Sequence, residues 1–354
     1  MQTDFLILGG GIAGLSAANE LADLGANVTL LESGTYPSHK VCGEFISPEA
    51  VPLLEKWEID LPIKIHHVKF ISSQKEWSME LPEAAASLSR YILDEALAKR
   101  ASKKGAIVQT GAQVKHIEFP KGTEPSYVVT LSSGEKWSSP TLLISTGRLV
   151  SSLMGQSQVP HRYIGVKAHF EGVHIPDLVM HLSKGAYFGV SPIARDRVNV
   201  AGIMTATPQQ ILNPQQTFDA FLKSTAALPL LKTLESHHIV FNSWMVGSVP
   251  EFGVRKHPAW PNVFLLGDAA GVIPPATGNG LAMGLTSGIL AATYAFKRED
   301  KAYKKHWDSL YKARISKGKL LHRLFLSPLG VKAIPILSKI FPRLPHYCFK
   351  ATRG

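Results

Sequence analysis

Three glycines spaced Gly9-x-Gly11-x-x-Gly14 follow the apolar run Phe5–Leu8 and precede a stretch of helix-forming residues, an arrangement suited to holding a pyrophosphate. Gly9 permits the tight turn, Gly11 lets phosphates approach the backbone, and Gly14 lets helix and strand pack closely. The first helical residues, Ile12 and Ala13, offer amide donors and the positive end of the helix dipole. A second apolar run, Asn27–Leu31, ends on Glu32, where a carboxylate can accept from a ribose hydroxyl. Strand, helix, strand and acid fall in register within about 30 residues, the signature of a dinucleotide site. NAD and FAD share the ADP half that such a unit binds, so this motif alone does not separate them.

A second constellation lies far along the chain. In Gly267-Asp268-Ala269-Ala270-Gly271-Val272-Ile273-Pro274-Pro275-Ala276-Thr277-Gly278-Asn279-Gly280, an Asp ends the buried-type strand 262–266 and a glycine-gated helix follows over roughly 280–296. This suits an extended cofactor: Asp268 would hold a polyol hydroxyl, and the helix start at Gly278-Asn279-Gly280 would face a flavin pyrimidine edge and stabilise an anionic reduced ring. The plainer alternative is that Asp268 only caps a helix.

The elements that must position these motifs alternate along 354 residues, a length that favours about two domains. Strand patterns fall at 68–71, 114–119, 127–131, 142–145, 164–170, 186–190, 198–203 and 239–245, with helical patterns at 48–57, 90–103 and 215–234. A composition 45% hydrophobic and 18% charged excludes disordered, collagen-like and coiled-coil chains. Cys42 and Cys348 lack metal-ligand spacing and fit a reducing, cytoplasmic compartment. The adjacent pairs His66-His67 and His237-His238 would point to opposite faces of a strand, so no metal is expected. No G-x-S-x-G suggests a serine hydrolase. Pro and Gly interrupt the uncharged stretch 269–296, which reads as a core helix rather than a membrane span. The net charge of +11 is a property of the tail: residues 301–354 carry 13 Lys and Arg against one acid, Asp308, leaving 25 basic and 26 acidic residues elsewhere. Nucleic-acid binding is therefore not expected. Apolar residues interleaved with Lys and Arg over 320–350 suit contact with an anionic membrane, at its inner face, or a helix covering the body with a solvated basic side.

The glycine fingerprint, the Gly267-Asp268 segment and the Pro274…Gly278-x-Gly280 run resemble the FAD-dependent oxidoreductases of the p-hydroxybenzoate hydroxylase fold, above all their geranylgeranyl reductase-like branch. The resemblance covers about 1–300. It implies an α/β fold: a Rossmann-like FAD-binding domain split over 1–65, 90–160 and 256–300, a mainly antiparallel β-sheet substrate domain from 66–89 and 161–255, and a helical tail at 301–354. It implies FAD held by Asp268 at the ribityl chain and by Arg90 near the ribityl or pyrophosphate. Further cofactor contacts are expected at Ser33, Lys40 and Val114. Lys40-Val41-Cys42-Gly43-Glu44 is similar to the reductases' K-x-C-G stretch beside the flavin, which makes Cys42 either chemically active or an inert contact. Glu44 and Tyr187 are the acid–base candidates, with packing or capping as the alternative. Where the reductases carry Trp and Phe in a Y-x-W-x-F-P pattern, this chain has Gly189 and Ser191. Thr146 stands where the hydroxylases carry the Asp of an Asp-Gly motif, and no second G-x-G-x-x-G follows Gly280, so NAD(P)H would bind transiently. The expected activity is reduction of a carbon–carbon double bond in a hydrophobic small molecule with NAD(P)H as donor. The alternatives are hydroxylation of an aromatic or polyketide-like substrate and an inactive flavin-binding module tethered to a membrane.

Overall fold

The computed structural model describes residues 1–72, 75–120, 126–147, 160–234, 238–240, 244–341 and 343–353. The first half of the chain forms β1 (Phe5–Leu8), α1 (Ile12–Asp23), β2 (Val28–Leu31), β3 (Phe45–Ile46), α2 (Val51–Lys56), β4 (Ile63–Ser72), β5 (Lys75–Ser87), α3 (Arg90–Lys103), β6 (Ile107–Gln109), β7 (Val114–Glu118), β8 (Tyr127–Leu131), β9 (Lys136–Ser139) and β10 (Thr141–Ile144). There follow β11 (His161–Glu171), β12 (Leu178–Ser183), β13 (Ala186–Ala194), β14 (Arg197–Thr205), α4 (Pro208–Leu212), α5 (Pro214–Leu222), α6 (Leu228–Thr233), β15 (His238–Ile239), β16 (Met245–Pro250), β17 (Gly253–Val254), β18 (Val263–Leu265) and β19 (Gly271–Val272). Four helices close the chain: α7 (Gly280–Phe296), α8 (Asp300–Leu326), α9 (Pro328–Ile340) and α10 (Leu344–Ala351).

Five strands make a parallel sheet in the order β18-β10-β1-β2-β6. Every residue of β1, β2 and β10 is buried, the burden of a sheet covered on both faces. The strand order reverses between β1 and β10, and ligands of doubly wound sheets bind at that switch point, outside the carboxyl ends of the strands. Gly9 lies at one of those ends and Ser145 at the other. The second sheet runs β15-β11-β14-β13-β12-β4-β5-β3, with β16 paired to the outer side of β11; it is antiparallel except for β12 against β4. The structure is thus the α/β architecture expected, a Rossmann-like layer beside a mainly antiparallel sheet with helices at the C-terminus.

Three expectations change in detail. The helical pattern 215–234 is broken into α5 and α6, each opened by a proline in its first turn. The strand expected at 239–245 is two short strands, β15 and β16, with residues 241–243 outside those described. The expected helix at 48–57 starts as a 3-10 turn, Pro48–Ala50, before α2. Strand β5 lies in the expected 66–89 strand region, and its alternation of Trp77, Met79 and Leu81 with exposed Ser78, Glu80 and Pro82 gives it one covered face.

For the first half of the tail the structure takes the second of the two expected readings, a helix covering the body. A stripe along α8, Tyr303, Trp307, Tyr311 and Ile315, is buried in the same core as the parallel sheet, and the Tyr303 hydroxyl donates to the carbonyl of Leu265 in β18 at 2.5 Å. The first half of the basic segment is therefore a core helix with its lysines on the outer face.

Helices α1 and α7 cross closely where the two sequence motifs meet. A Cβ added at Gly288 would overlap the Ala13 carbonyl oxygen and lie 2.7 Å from Ser16 Cβ. Gly288→Val should therefore lower stability by about 1–3 kcal/mol, read as a drop in the thermal midpoint of the apoprotein; an unchanged midpoint would show that the helices can separate there at no cost.

Candidate functional site

The phosphate-binding turn is built by contacts along its own loop. Gly9 takes φ +99°, and a Cβ on Gly14 would overlap the Gly9 carbonyl, so neither position admits another residue without rearrangement. Gly11 differs: no described atom lies within 4 Å of where its Cβ would be. Protein packing does not require that glycine, but a pyrophosphate lying on the backbone would. The Glu32 carboxylate accepts from the Gly10 amide at 2.6 Å and the Gly34 amide at 2.9 Å, tying the loop after β2 to the turn while leaving lone pairs for a hydroxyl. Tyr36, which the sequence did not single out, donates to the Gly10 carbonyl at 2.6 Å. Burial, with Glu32 and Asp94 nearby, raises its pKa and keeps it a donor. Ser33 is exposed beside Glu32, and Val114, at the start of β7, packs on the edge of the parallel-sheet core.

Tertiary packing brings the distant Asp268 segment to this turn. The Cβ position of Gly267 lies 2.7 Å from Ala13 Cβ, and that of Gly284 lies 3.3 Å from Ile12 Cγ2. Asp268 is exposed between buried Gly267 and Ala269, and its charge reaches Arg255. Beyond it, Pro274 leads into the 3-10 turn Pro275–Thr277, Gly278 takes φ +63°, Asn279 is buried and Gly280 is exposed at the start of α7.

That turn is gripped from the second sheet and from the tail. The Ala276 amide donates to the Tyr187 hydroxyl at 2.9 Å, and the same oxygen lies 2.9 Å from His322 Nδ1 on α8. Tyr187, expected as an acid–base residue, is thus buried and occupied as a brace; burial puts its pKa well above the usual value. At the end of the chain, Asn279 Nδ2 donates to the Thr352 carbonyl at 3.0 Å and Arg353 Nη2 to the Thr277 carbonyl at 2.9 Å. Arg353 also lies 3.5 Å from Glu49. Nothing in the local sequence around 352–353 signals this return.

Loop 40–45 completes the enclosure. The Phe45 ring abuts Gly278, so the reductase-like stretch and the second motif meet. Glu44 is fully buried: Lys167 Nζ lies at 2.5 Å, His169 Nε2 at 2.8 Å and the Arg90 amide at 2.7 Å. Burial pushes its pKa up, but hydrogen bonding to His169 and the Lys167 charge outweigh that and hold the carboxyl below its usual range. With both oxygens taken, Glu44 anchors the loop instead of exchanging protons. Arg90 forms a fork with Asp94 at 2.5 and 2.6 Å through Nε and Nη2, and its guanidinium also lies against the Cys42 thiol. Cys42 Sγ accepts from the Glu44 amide at 3.4 Å, and its carbonyl accepts from Asn199 at 3.0 Å; Lys40 is half-buried at the start of the loop.

Beneath the loop lies one face of the second sheet. Its register sets Gly165, Ile203 and Tyr187 in one row, Lys167, Ala201 and Gly189 in the next, and His169, Asn199 and Ser191 in the third. Gly189 and Ser191 stand where the resemblance leads one to expect Trp and Phe; Met180 Sδ lies 3.3 Å from where a Cβ on Gly189 would sit, with Leu178 beside it, and Ser191 makes one end of the face polar. Arg148 and His237 fall outside the described residues; among those described, no group of His, Cys, Asp and Glu could hold a metal.

These residues fit FAD. Gly11 leaves room at the backbone, Asp268 and Gly280 are exposed along the path between the two motifs, and Ser38 Oγ, Thr146 Oγ1 and Asn279 Oδ1 are buried with no hydrogen-bond partner among the described residues. Residues 4–58 match the family described as FAD dependent oxidoreductase (DAO). The chain is 23% identical over 349 residues to a menaquinone reductase of Mycolicibacterium smegmatis, covering 90% of this chain and 82% of that one. It is 24% identical over 323 residues to digeranylgeranylglycerophospholipid reductase 2 of Methanosphaera stadtmanae, covering 83% and 78%. Among solved structures, the flavin-dependent brominase Bmp2 superposes with a TM-score of 0.83 at 15% identity over 99% of this chain and 93% of that one, a likeness of fold.

Gly11→Val should leave the apoprotein folded, since the added methyls meet open space, yet abolish FAD retention; a yellow variant would remove Gly11 from the phosphate site. Burial lowers the pKa of His181, His257 and His322 to about 4. The unfolded chain then binds protons that the folded one refuses between about pH 6.5 and 4, so stability is complete above that window and is lost as pH falls through it. The slope of unfolding free energy against pH should flatten by about one proton in His322→Gln; an unchanged slope would show that His322 is protonated in the folded state.

Proposed function

Since the chain is an FAD-dependent oxidoreductase, we propose that it reduces a carbon–carbon double bond in a small hydrophobic substrate, isoprenoid, lipid-like or polyketide-like, with NAD(P)H as electron donor, in the cytoplasm. The observation that carries this reading is loop 40–45, tied to the second sheet through Glu44 and Asn199 and packed through Phe45 on the Gly278 turn, which sets the Cys42 thiol beside the proposed cofactor path. The names of the curated relatives, reductases of menaquinone and of a digeranylgeranyl lipid, support an apolar substrate class.

Bound FAD supplies hydride transfer. The chain's own residues supply the rest. The amide end of α7 at Gly280 directs positive potential toward the site. Reduction of the double bond also needs one proton at the second carbon, and Cys42 Sγ is the donor this reading assigns, regaining its proton from solvent afterwards. Glu44, with Lys167 and His169, keeps the loop in place, and Asn199 fixes the Cys42 carbonyl.

The test is untargeted mass spectrometry of a host lipid extract incubated with purified protein, NADPH and air. A product heavier by two hydrogens is expected, formed about 10²–10⁴-fold more slowly by Cys42→Ala with FAD content unchanged. A product heavier by one oxygen would replace this reading with a monooxygenase, and no NADPH consumption with any extract would leave a flavin-binding module without turnover.

A further inference from the structure

The second half of the tail carries an exposed face that neither the fold nor the site uses. On α9, Val331 and Pro335 are buried and Ile334 packs beside Val331 against the second sheet, while Leu329 is 80% and Ile340 61% exposed, with Ile336 exposed between them. Leu329, Ile336 and Ile340 recur at i, i+7 and i+11, one narrow stripe, and exposed Lys332 and Lys339 flank it on one side. Exposed Phe341, Arg343, Leu344, Tyr347 and Lys350 extend the same composition into α10. No acidic residue occurs from 309 to 354.

We propose that the outer face of α9 and α10 is a docking surface for an anionic lipid bilayer. Apolar side chains beside lysines match the boundary between acyl chains and negatively charged headgroups, where the lysine stems run along the apolar layer and their ammonium groups meet phosphate. The 13 residues of α9 span roughly 20 Å, too short for a hydrocarbon core of about 30 Å, so the helix lies in the interface. The 101° bend from α8 lets α9 lie along the surface while α8 stays in the protein core. A second copy of the chain would fit the face poorly, because a two-fold contact would set Lys332 and Lys339 against an equally basic surface. Two open grooves of mixed lining, with Trp77, Ile336 and Ile340 beside Glu76 and Lys339 in one and Met79 and Tyr347 beside Glu80 and Arg343 in the other, separate this face from β5. Because α10 leads directly to Thr352 and Arg353, the docked segment is continuous with the brace on the Thr277–Asn279 turn.

Sedimentation of the FAD-loaded full chain with vesicles tests this without any substrate, so its failure would leave the proposed reaction untouched. With phosphatidylcholine vesicles holding about 30 mol % phosphatidylglycerol, the protein should pellet, and partition at least about tenfold less to phosphatidylcholine alone. Two variants, Leu329→Ser/Ile336→Ser/Ile340→Ser and Lys332→Glu/Lys339→Glu, should each lose at least about tenfold with FAD content and circular dichroism unchanged. Equal partitioning to both vesicle types, variants that bind as well as the parent, or a parent dimer that ignores vesicles and dissociates in the triple variant would overturn the assignment.

Discussion

The buried carboxylate of Glu44 is the interaction on which the enclosure depends. It sits at φ +54°, a conformation that a residue with a side chain adopts only where its surroundings impose it. One group satisfies Lys167 and His169 of β11 and the first amide of α3, so a single loop is locked to both the sheet and the parallel-sheet layer. Taking a charge out of water is costly, and removing one partner of such a cluster characteristically costs about 3–5 kcal/mol because the others are left buried and unpaired. That asymmetry makes the cluster a strong determinant of position, whatever its net contribution to stability. Cys42, two residues away, inherits a fixed place from it.

The turn 274–280 is held by a different economy, many modest bonds from remote parts of the chain. Tyr187 reaches it from β13, His322 from α8 and Arg353 from the end of the chain. Gly278 and Asn279 therefore present the α7 N-terminus in one orientation. A helix dipole acts usefully on a bound group only when direction and distance are fixed beforehand, since reorganisation would consume the gain. The tail, basic on its outside and aromatic on its inside, is thus both part of the core and part of the site's support.

Comparison of motif with geometry shows where sequence reasoning reached its limit. Gly9, Gly14, Gly267 and the two halves of the cofactor path were legible because a strand–turn–helix for phosphate constrains residues close together in the chain. The sequence left Glu44 and Tyr187 open between acid–base and packing roles; the structure pairs Glu44 with Lys167 and His169, Tyr187 with His322 and Ala276, and Arg90 with Asp94, partners that no local spacing announces for the first two. Tyr36 and Arg353 left no signal: a tyrosine in a loop and an arginine in a basic tail look like many others.

By itself the sequence determined the dinucleotide-binding unit, the strand–Asp–helix segment and the alternation of a parallel with an antiparallel layer, because each rests on local spacing and side-chain periodicity. Only the tertiary structure decided that α8 is core rather than appendage, that loop 40–45 is tied to the second sheet through Lys167, His169 and Asn199, and that the chain's last residues brace the cofactor turn. Those arrangements join residues from about 40 to about 160 positions apart, and what selects them is the burial of charge and aromatic surface, which a linear pattern does not encode.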